Sequence, residues 1–134
     1  MRNLTLVLLW IVVVAHAGFV TIEMYPWERP MVFDRVHLGF DPVSNEAKAA
    51  AIVHNAGLYN AFLAAGLVWS ILSRRNALGL RIFFLSCAIA AGIFGFFTLT
   101  PTTLFLQTIP GAFALAVVLA NRSAEPAGRT AAAG

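Results

Sequence analysis

Residues 47–72 read AKAAAIVHNAGLYNAFLAAGLVWSIL, with a single charge, Lys48, at the very start. At about 1.5 Å per residue this run is long enough to cross a hydrocarbon core roughly 30 Å thick. It therefore reads as a transmembrane helix. Inside it, Ile52–Leu67 carries His54, Asn55, Tyr59 and Asn60 within a few turns. Polar side chains in hydrocarbon are expensive, so they normally face a protein interior and find partners there. Most of the chain around this stretch is a plain anchor.

On its amino-terminal side, residues 28–46 form the one extended polar connection, ERPMVFDRVHLGFDPVSNE, with Ser44-Asn45-Glu46 as the helix entry. Before that connection, residues 4–25 make a first apolar span, closed by Tyr25-Pro26-Trp27. Proline stops helix propagation, and Tyr and Trp favour the membrane–water interface. Leu4–Val14 followed by Ala15-His16-Ala17 also resembles a signal-peptide core with a small-residue cleavage site. The apolar run continues for a full span, so an uncleaved first helix is expected.

Beyond residue 72, the turn Ser73-Arg74-Arg75-Asn76 leads to a third span at about 78–99 and, after Thr100-Pro101, a fourth at about 102–120. Pro110-Gly111 interrupts the fourth. Residues 121–134 are small and polar, a flexible tail. The expectation is one domain, residues 1–120: an all-α integral membrane protein, a compact antiparallel bundle of four transmembrane helices. Small residues at four-residue spacing (Gly57, Ala61 and Ala65; Ala88 and Gly92; Ala91 and Gly95) would let these helices approach closely.

Composition agrees. Hydrophobic residues make up 60% and charged residues 11% of the 134, far from a soluble domain. The basic balance does not indicate nucleic acid, because the cations are few and scattered. It reads instead as topology. Arg2, Arg74, Arg75, Arg81, Arg122 and Arg129 share one side, against Arg29, Arg35 and Lys48 on the other. The positive-inside rule puts both termini in the cytoplasm and the 26–46 loop outside. Cys87 is the one cysteine, so neither an intramolecular disulfide nor a cysteine-based metal site can form.

Counting inward from the span ends puts His16 about 18 Å from one face and His54 about 10 Å from the other, at similar levels in the outer half of the bundle. His16 and Glu23 are seven apart on one helical face. With His54, Asn55, Tyr59, Asn60 and Gln107 they are expected to line a pocket, which Pro110 would widen by freeing a carbonyl. Two histidines at one depth could ligate a metal or relay protons. The same residues also have a structural reading. Asn55, Asn60 and Gln107 can tie helices together for about 0.6–2 kcal/mol each. Tyr59 can bond a carbonyl, Glu23 can pair with Arg29 or Arg35, and His37 can be solvated in the loop.

The segments NAGLYNAFLAAGL (Asn55–Leu67), AHAGFVTIEMYPW (Ala15–Trp27), AAGIFGFFTL (Ala90–Leu99) and LQTIPGAFAL (Leu106–Leu115) resemble the domain of unknown function 1304 family. These are short bacterial membrane proteins with four spans. The resemblance runs from Leu4 to about Leu119 and includes His16, Glu23, Asn55, Gly57, Tyr59, Asn60, Gln107 and Pro110. This chain has Ala56 where the family more often has glutamine. It implies the fold and the bacterial inner membrane, and no activity. A second resemblance is to styrene oxide isomerase, a four-span haem b enzyme with an axial histidine and a catalytic asparagine six residues later. His54 and Asn60 have that spacing, which would make haem b a candidate cofactor.

The leading expectation is thus a polar pocket that binds a small apolar ligand, with Asn55, Gln107 and Trp27 lining it. In an isomerase-like version, His54 and His16 would hold haem or, at His54, a metal, with Asn60, Tyr59 and Glu23 catalytic. The alternatives are a small-molecule exporter or proton-coupled transporter, and a non-catalytic scaffold. Lipid is the expected surrounding, and a dimer or trimer would suit so small a bundle.

Overall fold

On the first helix, Thr5, Leu9, Val12 and His16 recur at intervals of three and four, and all are buried. That spacing puts them on one stripe of a 3.6-residue helix, and the stripe faces the other three spans. In the computed structural model, which describes residues 2–25 and 46–123, this helix is α1, Arg2–Met24. It is followed by α2, Glu46–Leu72, and α3, Ala77–Thr98. A π-helical turn, Leu104–Thr108, then runs directly into α4, Ile109–Ser123. The described residues form an all-α bundle of four membrane-length helices, with apolar spans Asn3–Met24, Ala50–Leu72, Ala77–Thr98 and Leu104–Arg122.

The helices pack as a ring, α1 on α2, α2 on α3, α3 on α4 and α4 back on α1. Short turns between α2 and α3 and between α3 and α4 impose antiparallel neighbours. Each helix repeats the one-stripe pattern. Val53, Gly57, Asn60, Leu67 and Ser70 are the inward positions of α2, and Leu85, Ala88, Gly92 and Gly95 those of α3. The central apolar cluster is Leu9, Val12, Val13, Leu67, Leu85, Ala88, Ala114 and Val118. Outward faces carry Phe62, Trp69, Phe83, Phe94, Phe97 and Phe113, all exposed. An apolar surface of that extent suits hydrocarbon and not water.

Two glycines set how closely the helices meet. A Cβ on Gly57 would lie 3.2 Å from the Cβ of Glu23 and 2.8 Å from Cγ of Met24, so α1 crosses α2 there. A Cβ on Gly92 would lie 2.9 Å from the Cβ of Gln107, so the π turn presses on α3. The seam differs in part from the expected repeat. Ala65 and Ala91 face outward, and on α2 the next close approach is Gly66 against Phe84.

The π turn has a local cause. Pro110 has no N–H for the Leu106 carbonyl, and its ring would crowd that carbonyl in a regular helix. The Ile109 N–H instead reaches back five residues to the carbonyl of Leu104. Wide turns of this kind are often found at functional sites. At the far end, α4 continues through Ser123, into the segment expected to be tail, and Asn121 Nδ2 donates to Thr5 Oγ1 at 2.6 Å. The 26–46 loop apart from Glu46, and the tail beyond Ser123, lie outside the described residues.

Candidate functional site

The close crossing at Gly57 brings the last turn of α1 against the middle of α2. There Asn60 Nδ2 donates to Glu23 Oε2 at 2.8 Å. From the other side of Asn60, Gln107 Nε2 donates to Asn60 Oδ1 at 3.4 Å, a long and weaker bond. Asn60 and Gln107 are buried and Glu23 is half-buried. A carboxylate and two carboxamides thus form one chain across three spans. Each carboxamide is placed by its helix stripe: Asn60 three residues beyond Gly57 on α2, Gln107 within the π turn that packs on Gly92.

Glu23 is the acidic side chain of the described membrane spans, and none of the described cationic side chains lies near it. Among the described side chains the cations are Arg74, Arg75, Arg81 and Arg122, all at the opposite end of the bundle. Arg29 and Arg35, with which Glu23 was expected to pair, lie outside the described residues, as does Trp27.

Only part of the expected pocket assembles. Asn55 and Tyr59 are both exposed, Tyr59 stacking edge-on with Phe62 at 6.3 Å. The reason is angular. Each is two residues from the inward Gly57, hence about 200° around the axis. They share a face, as their spacing indicates, but it is the face turned away from the bundle.

The two histidines are also separated. α1 ends beside Gly57, whereas α2 runs on outward past it. His54 is three residues from Gly57 toward the start of α2, and His16 is seven residues from Glu23 toward the start of α1. The axial separation is therefore about 15 Å. One metal ion or one haem iron cannot be held by both, which corrects the expectation of equal depth. Counting from span ends assumed that α1 and α2 end at one level. His16 is instead a core residue. It is fully buried, its Nδ1 lies 2.8 Å from the Val12 carbonyl, and its Nε2 has no hydrogen-bond partner. His54 is half-buried. Among the described residues no group of three His, Cys, Asp or Glu side chains comes together as a metal site.

The family model described as "Protein of unknown function (DUF1304)" matches residues 10–119. The chain belongs to that family. No curated protein and no solved structure matches it. The resemblance to styrene oxide isomerase has no counterpart among these comparisons. In this DUF1304 protein, the polar residues within the matched region divide into two sets by geometry. Glu23, Asn60 and Gln107 converge, while Asn55 and Tyr59 face outward. Sequence reasoning missed the Thr5–Asn121 bond, because Asn121 read as the start of the tail. Its signal was positional: in a four-span bundle the start of α1 and the end of α4 share one end.

Proposed function

We propose that this DUF1304 protein is a small transporter that binds a lipophilic organic cation at Glu23 in exchange for a proton. The observation that carries this reading is the Glu23–Asn60–Gln107 chain. A carboxylate flanked by hydrocarbon needs a proton or a cation as counter-charge. Here it also shares its oxygen with an amide that bridges to another helix. Replacing the proton by a cation therefore changes what links α1, α2 and α4, which is how occupancy would reach the packing of the bundle. The arginine distribution supports a plasma-membrane orientation with both termini in the cytoplasm.

Tetraphenylphosphonium is a suitable probe. Added to detergent-solubilised protein in weak buffer, it is expected to release about one proton per bound cation, as a one-site exchange requires. Glu23→Gln removes both the binding and the release. In proteoliposomes, an imposed pH gradient drives uptake by the wild type and not by the variant. Binding without proton release, or uptake untouched by Glu23→Gln, sinks the proposal.

The haem-dependent reading gains no support from the geometry, because the Asn60 amide bonds Glu23 and Gln107. A structural role is favoured by a specific observation: the side-chain ties Asn60–Glu23, Asn60–Gln107 and Asn121–Thr5 each join different helices. In that reading Glu23→Gln alters stability alone.

A further inference from the structure

The opposite end of the bundle poses a different problem of charge. From Ala47 to Ala124 the sequence contains no acidic residue, yet Arg74, Arg75, Arg81 and Arg122 all lie within it. Arg74 and Arg75 are exposed in the turn between α2 and α3. That turn sits where two spans end, Leu72 closing one and Ala77 opening the next, so it stands at headgroup depth. Arg81, one turn into α3, has a buried Nε without a hydrogen-bond partner. Arginine's planar fork matches phosphate oxygens.

The turn also borders an open space. A cleft of about 350 Å³ is lined by Arg75, Asn76, Leu78, Gly79 and Leu80. Gly79 opens one wall: a Cβ there would meet nothing within 4 Å. Its lining sets an arginine beside two leucines, so cationic and apolar groups border one space. An acyl-linked phosphate has the complementary pattern.

We propose that this cleft is a binding site for the phosphate headgroup of an anionic phospholipid. The ester phosphate sits at Arg75, with Arg74 completing the positive field, and the start of the acyl chains lies along Leu78 and Leu80. Cytoplasmic-side basic clefts between spans suit this chemistry, each surface arginine adding a comparable increment of attraction. The site is independent of Glu23 and of any transport activity.

The test uses the full chain in mild detergent, mixed with equimolar phosphatidylglycerol and phosphatidylcholine and read by native mass spectrometry. The expected result is retention of phosphatidylglycerol over phosphatidylcholine by roughly tenfold. Millimolar inorganic phosphate leaves that preference in place; displacement would mean a free-phosphate site and overturn a lipid ligand. Arg74→Gln with Arg75→Gln equalises the two lipids. Gly79→Leu, which adds bulk at the cleft without touching a charge and whose Cβ has open space, does the same and guards against misfolding of the arginine variant. Arg122→Gln, at the same end, keeps the preference. Equal retention of both lipids by the wild type, an unaltered preference in Gly79→Leu, or an equal loss in Arg122→Gln overturns the proposal.

Discussion

The two ends of the bundle handle polarity in opposite ways. At the Glu23 end, a charged group is drawn between helices and tied through Asn60 to Gln107. At the other end, the tie between helices is neutral, Asn121 to Thr5, and three of the four described arginines, Arg74, Arg75 and Arg122, are exposed, with Arg81 half-buried one turn in. The second arrangement is what anchoring alone requires: interfacial cations and a hydrogen bond between the first and last spans. The first costs desolvation that anchoring does not need. That asymmetry directs functional interest to the Glu23 end.

Stability measurements in detergent can break or sharpen the contrast. The largest effect is expected from Gly92→Leu. Its side chain would enter space held by Gln107 and Thr108, forcing the π turn off α3 at a cost of about 3 kcal/mol. Unchanged unfolding would mean that the contact is looser than the geometry describes. Asn60→Leu comes next, at about 2 kcal/mol, because it strands Glu23 and Gln107 together. At the other end, Asn121→Leu should cost only about 0.6 kcal/mol, the typical worth of one interhelical bond in a membrane. If the two ties prove equal, the Glu23 end is no more than a second anchor. Tyr59→Phe should move stability by less than about 0.5 kcal/mol, since the ring faces outward. A larger loss would place Tyr59 in a contact between copies of the chain.

The four helices were legible because span length and turn chemistry are local properties. Pro26, Pro101 and the Ser73–Asn76 turn mark boundaries that no tertiary contact has to supply. The pairing of Asn60 with Gln107 was legible only as a shared depth. Which of the neighbouring polar residues point inward depends on the rotation of α2 about its axis. Gly57 settles that rotation, and its role shows only once α1 is packed against it. The histidines failed for a related reason. Hydropathy measures how long each span is but not how far one slides along the next, and α2 overshoots α1. The site's third member was helped by Pro110, which foretold a disturbed helix without foretelling that the chain would absorb it as a single wide turn.

That wide turn acts as a phase corrector. Thr103 and Gln107 are four residues apart, a spacing at which a regular helix drifts sideways by about 40°. The widened turn takes up that drift, so both side chains meet α3, Thr103 Oγ1 lying 3.0 Å from the Gly92 carbonyl. Removing one residue between Leu104 and Thr108 would leave a smoother helix with its upper part turned by about 60°. Either Thr103 or Gln107 would then swing to the lipid. The fourth span is thus sensitive to single-residue deletions at a place where hydropathy alone would count any apolar residue as interchangeable.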